Sequence, residues 1–189
     1  MREYKSQQLS KIQNSDDLTI VCSVPILPLA TGSNTEGPCT VLRSAPDFKD
    51  IVTEAIDLFR FTILLKNRFD IQSSADKVLV YLILWIQRLL ALSRTCPPET
   101  ELATFLIQCA RDESSIAVPG EEQFPLNMFF IPPSNPKEKL QCSRYLMQLR
   151  IETARRLAPR LIDETSEGGL SKWWTQYAEI NWLGFSALS

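Results

Sequence analysis

The longest unbroken apolar run in the chain is residues 78–86, VLVYLILWI, and polar residues close in on it from both sides. It lies within residues 73–94 (SSADKVLVYLILWIQRLLALSR), where Ser73 is placed to cap a helix and Asp76 follows three residues later. A helix of that length is about 30 Å long. Apolar side chains all the way round leave two surroundings for it, other protein segments or lipid. A run this short is characteristic of a core helix rather than a bilayer span, and Asp76, Lys77 and Arg88 flank it closely. The pattern therefore predicts a buried central helix over 73–94. The alternative is a membrane-associated helical protein using the apolar stretch 78–86.

Residues 47–67 carry an apolar stripe at Val52, Ala55, Ile56, Phe59 and Ile63, which predicts a helix capped at Asp47 with Asp50 favoured by the helix dipole. Leu58, Phe61, Leu64 and Leu65 widen its apolar side. Pro97 and Pro98 stop the central helix and can open a shorter one, whose apolar side is Leu102, Phe105, Leu106 and Cys109. Asn135 and Pro136 open the last long helix. Its stripe of Cys142, Leu146, Leu149, Thr153, Leu157 and Leu161 spans about 120° at 100° per residue. Pro159 is expected to end or kink it near Ala158. Ser171 is expected to cap a final short helix over 171–183.

Two segments read differently. Residues 19–29 (TIVCSVPILPL) are β-branched and broken by prolines, as an extended segment or edge strand would be. Residues 116–133 contain four prolines and a Pro119–Gly120 turn, and the apolar run from Leu126 to Ile131 has strand length. Short extended segments near 19–29 and 124–131, pairing with each other, are the expectation. Residues 30–46, rich in Gly, Ser, Thr and Pro, read as a long surface loop. The fold class is all-α, with about five helices, the helix at 73–94 surrounded by the others.

Composition narrows the chemistry. The 189 residues suffice for one domain with a sizeable core, and 44% hydrophobic with 22% charged residues is a globular balance. A net charge of −2 supplies no global attraction to nucleic acid or anionic membrane. The chain has no histidine, which removes the commonest general base and the commonest zinc ligand. Five scattered cysteines, an odd number without C-x-x-C spacing, argue against a disulfide framework and for reduced thiols in the cytoplasm. The polar first residues contain no secretory signal. No nucleophile–base spacing and no phosphate-binding loop is present, so neither enzyme activity nor a cofactor or metal is expected.

Charge is uneven. Seven bases between Lys137 and Arg160 oppose only Glu138 and Glu152, while residues 99–122 hold six acids against Arg111. Lys137, Arg144 and Arg155 fall within about 20° of one another, opposite the apolar stripe. A solvated face is the plain account of them, and contact with an acidic protein partner is the sharper one. Lys172, Trp173 and Trp174, with Tyr177 and Trp182 after them, concentrate aromatics near the C-terminus. Adjacent tryptophans on a helix point about 100° apart, so one is expected in the core and the other is a candidate partner anchor. Packing of both against the chain's own core is the plainer alternative.

Several strings together are specific: residues 50–56 (DIVTEAI), Lys66–Asn67, residues 75–86 (ADKVLVYLILWI), 118–127 (VPGEEQFPLN), 145–157 (YLMQLRIETARRL) and 171–175 (SKWWT). In order and spacing the chain resembles subunit 3, the small 21-kDa-class subunit, of the actin-related protein 2/3 complex, the actin-branching assembly. The resemblance implies a single helical domain over 1–189 and a non-enzymatic, structural role. Its implied partners are the actin-related subunits, other subunits of that complex and the actin filament, with no nucleotide bound by this chain. The flexible loop at 30–46, the loop at 163–170 and the divergent tail at 178–189 depart from the family pattern, so contacts through them do not carry over.

Overall fold

In the computed structural model of the chain, residues 6, 8, 18–31, 37–42, 48–64, 71–98, 100–112, 114, 116–163, 165 and 169–180 are described. Among them are five helices and one small antiparallel sheet: β1 (Ile20–Val21), β2 (Val24–Pro25), α1 (Ile51–Leu64), α2 (Ser74–Ser93), α3 (Leu102–Arg111), α4 (Pro136–Leu161) and α5 (Lys172–Thr175). No described helix is long and apolar enough to cross a membrane.

Helix α2 starts where its sequence signals it. The Ser73 hydroxyl accepts the Asp76 N–H at 3.2 Å, and the Asp76 carboxylate accepts the Ser73 N–H at 2.7 Å, so two otherwise orphaned donors are satisfied reciprocally. Every residue from Val78 to Gln87 is buried, and α2 contacts α1, α3, α4, α5 and β2. Fully burying one such aliphatic side chain stabilises the fold by roughly 1.5–3 kcal/mol. Helix α4 buries all six residues of its stripe. Asn135 caps it by accepting the Glu138 N–H at 2.9 Å. Pro159 does not end this helix, which runs on to Leu161. The proline occupies an exposed position in the last turn, where few intrahelical bonds remain to lose.

Several boundaries differ from the sequence reading. Helix α1 begins at Ile51 and Asp50 is its cap, accepting the Thr53 N–H at 2.9 Å; Asp47 lies outside the described residues. Phe61 does not widen the buried side of α1 but stands 68% exposed. Pro97 and Pro98 form a turn, closed by Thr100 N–H to Pro97 O at 3.0 Å, and α3 starts beyond it at Leu102. The final helix is one turn, Lys172–Thr175, and Ser171 makes no side-chain cap. Residues 176–179, expected to continue that helix, form turns, and 181–183 lie outside the described residues.

The extended segments also pair differently. Residues 19–29 fold on themselves, with Ile20 opposite Pro25 and Val21 opposite Val24. The turn between them places Cys22 and Ser23 at φ of 47° and 66°. Hairpin turns of this kind normally use Asn-Gly or Gly, which is why the sequence did not announce it. External bonds hold these two residues there: Cys22 N–H to Glu138, and the Ser23 hydroxyl to Lys77 and to the Ile131 N–H. Leu29 forms a parallel bridge to Val41.

Residues 116–133 form a succession of turns instead of a strand. Gly120, at φ 93°, donates its N–H to Asn127 Oδ1 at 2.7 Å, and Asn127 returns a bond to Glu121 O at 2.7 Å. The clasp presents Phe124 to the core, stacked on Tyr81 at 6.2 Å and edge-on to Phe130 at 5.1 Å. Of the loop at 30–46, residues 30, 31 and 37–42 are described, and the second stretch is fastened: Cys39 is buried and donates its N–H to Gln148 Oε1 at 2.8 Å.

Candidate interaction surfaces

The seven bases of α4 have sharply different surroundings. Arg150 points inward, its Nε donating to the Tyr81 hydroxyl at 2.7 Å and its guanidinium 4.4 Å from the Trp85 ring centroid. Arg156 lies against buried Asp50 and Glu152, at 2.7 and 2.9 Å. Arg155 pairs with Glu152 at 2.6 Å, Arg160 with Asp57 at 3.0 Å and Lys139 with Glu121 at 2.8 Å. The hydrogen bond from Lys139 holds the Glu121 carboxyl below its ordinary range, helped by the Val118 N–H. Among the described residues, Lys137 and Arg144 alone of the seven bases have neither an ion pair nor a side-chain hydrogen bond.

These two cations share an open groove of about 720 Å³. Leu140, Gln141 and Met147 continue its wall along α4, and Gly37 and Pro38 form the opposite side. Leu140 is 53% exposed, so the groove joins an apolar strip to two positive charges, and no carboxylate lines it among the described residues. Arg155 is not part of it. It lies about 16 Å beyond Arg144 along the helix, and its charge is already spent on a buried glutamate. Of the three bases aligned on the helical wheel, Lys137 and Arg144 line the groove and Arg155 does not.

The second surface lies where α5 meets α1. The two tryptophans separate as their 100° offset requires. Trp174 is half-buried and stacks on Phe59 at 5.9 Å, with Tyr177 edge-on to the same ring at 6.1 Å. Trp173 is 65% exposed and is covered on one face by the Arg60 guanidinium, 4.9 Å from its centroid. Lys172 is exposed beside them. Below lies a notch of about 420 Å³ lined by Ile56, Asp57, Arg60, Phe61, Arg160 and Trp174. Burial pushes Asp57 up, but its bonds to Arg160 and Lys49 outweigh that and hold its carboxyl below the usual range.

The model of one protein family, described as P21-Arc, the ARP2/3 complex ARPC3 (21 kDa) subunit, matches residues 1–186. The chain belongs to this family. It is 34% identical over 179 residues to the actin-related protein 2/3 complex subunit 3 of Arabidopsis thaliana, covering 95% of this chain and 98% of that one. It is also 33% identical to the subunits 3 of Dictyostelium discoideum and Saccharomyces cerevisiae, over 165 and 169 residues, or 87% and 88% of this chain and 89% and 90% of theirs.

Within this family member, one of the strings that carry the resemblance serves mainly internal fastening. In YLMQLRIET, the Tyr145 hydroxyl accepts the Leu27 N–H, Gln148 secures Cys39, Arg150 binds Tyr81, and Glu152 holds Arg155 and Arg156. Sequence reasoning missed Arg60, Phe61 and Leu140 as surface residues. Phe61 and Leu140 look like core by residue type, and Arg60 gains meaning only from Trp173, which is remote in sequence. No group of three or more metal-ligating side chains occurs among the described residues.

Proposed function

We propose that this chain is a non-catalytic structural subunit of an actin-related protein 2/3 complex in the cytoplasmic actin cytoskeleton, supporting filament nucleation and branching. The observation that carries this reading is the match of the family model to residues 1–186. Mechanically, α2 is the buried axis on which the outer helices hang, leaving the chemistry of contact to outer faces and loops. One face packs against an actin-related subunit. The Lys137–Arg144 groove faces the acidic surface of the mother filament, where two uncompensated cations assist encounter and register more than they add affinity.

The test is a double charge reversal, Lys137→Glu with Arg144→Glu, introduced into the assembled complex. Both side chains are exposed, so assembly stays intact while branch formation in an actin polymerisation assay falls. The deficit shrinks as salt is raised toward about 0.15 M and beyond, since screening at about 8 Å weakens the interaction for both forms. Unchanged branching at low salt would show that the groove is merely solvated.

A further inference from the structure

We propose that the notch beside Arg60 is a docking site for an acidic segment of a neighbouring subunit, with a carboxylate on the Arg60 guanidinium and an apolar side chain against Phe61. The inference rests on the subunit reading above and adds a partner chemistry at a second surface.

Three observations converge on the notch. Its charge is unbalanced among the described residues: Arg60 and Arg160 line it and Lys49 lies beside it, against the single carboxylate of Asp57, which already binds Arg160 at 3.0 Å and Lys49 at 3.2 Å. Arg60 is the cation left over. Its Nε is buried and finds no hydrogen-bond acceptor among the described residues. A buried donor without an acceptor is uncommon in folded proteins and marks this guanidinium as incompletely compensated by the described fold. Finally, the guanidinium lies over the Trp173 ring, 4.9 Å from its centroid, and an arginine steadied by an aromatic ring can still offer its terminal N–H groups to a carboxylate.

The apolar part of the site is equally exposed. Phe61 and Trp173 are 68% and 65% exposed; Phe61 lines the notch with Arg60, and Trp173 lies under the Arg60 guanidinium. Tryptophan and arginine together are the residue types that dominate binding energy at protein interfaces. A second copy of this chain is the wrong occupant. A two-fold contact would set the same cation-rich notch against itself, placing like charges face to face. A carboxylate-bearing segment of a different chain balances the charge.

The experiment uses the complete complex, co-expressed with wild-type chain or with Arg60→Glu, Trp173→Ala or, as a control on the other surface, Arg144→Glu. Retention of the chain in the complex is measured across a salt series, and thermal melts of each purified variant report folding. Arg60→Glu is expected to weaken retention about 100-fold with an unchanged melt, Trp173→Ala to weaken it less, and Arg144→Glu to leave it unaltered. A photo-crosslinker at position 61 is expected to label an Asp- or Glu-containing peptide of another subunit. Wild-type retention by both Arg60→Glu and Trp173→Ala, or a crosslink to a second copy of this chain, would overturn the inference. Failure of the wild-type chain itself to co-purify would overturn the subunit reading and this inference with it.

Discussion

Arg156 grips Asp50 with both arms of its guanidinium, Nη1 to Oδ1 at 2.7 Å and Nη2 to Oδ2 at 2.8 Å, joining the last third of α4 to the cap of α1. The same guanidinium donates to Glu152 Oε1 at 2.9 Å, Thr53 Oγ1 at 2.8 Å and Ala30 O at 3.0 Å. Asp50 in turn accepts the Ala30 N–H at 2.8 Å. One cation thus fastens two helices and the start of the 30–46 loop. Arg156→Ala leaves two buried carboxylates less compensated and is expected to cost about 3–5 kcal/mol, measured by urea unfolding. A loss below about 1 kcal/mol, the range of an exposed pair, would mean the network contributes little.

Glu138 links the strained hairpin turn to α4 and gives the fold a pH dependence. The Ser134 hydroxyl, with the N–H groups of Cys22 and Ser134, lowers its carboxyl from an ordinary 4.5 to about 2. A depressed carboxyl favours the folded state fully above the ordinary value, and that contribution is lost as pH falls from about 4.5 toward 2. The difference in melting temperature between the wild type and Glu138→Gln should be largest near neutrality and close across that window. A constant difference would assign the effect to the amide's geometry instead.

Gly37 meets Gln148 too closely for any side chain. A Cβ there would overlap Gln148 Oε1, the atom that accepts the Cys39 N–H. Gln148 is buried, so it has little room to yield. Gly37→Ala is expected to destabilise by about 1–3 kcal/mol and to accelerate hydrogen exchange at the Cys39 amide. Normal protection of that amide would show that the loop shifts at no cost.

The two tryptophans should behave oppositely in stability measurements. Trp174→Ala removes the stack on Phe59 and, at a half-buried site, is expected to cost about 2–3 kcal/mol. Trp173→Ala removes an exposed ring and should stay within about 0.5 kcal/mol of wild type. Equal losses would contradict their different burial.

The helices were legible in the sequence to the extent that their signals are local. The capping box of Ser73 and Asp76 spans three residues, and the α4 stripe repeats every turn. The hairpin at 20–25 was not legible, because Cys22 and Ser23 carry no turn signature and are held at positive φ by Glu138, Lys77 and the Ile131 backbone. Residues 124–131 looked like a strand because an apolar run of that length is shared by strands and by turns that bury aromatic rings, and the Gly120–Asn127 clasp separates them.

By itself the sequence determined the helical class, the helix at 73–94 and the family to which the chain belongs, since periodicity, caps and motif spacing are properties of neighbours along the chain. Only the tertiary structure decided which charges and rings are left for partners. Seven bases on one helix look alike in sequence, yet Arg150 faces Tyr81 and Trp85, Arg156 is held by Asp50, and Lys137 and Arg144 remain open. Whether a side chain is free depends on what the fold brings within about 4 Å of it, and the deciding contacts join residues 69 and 106 positions apart.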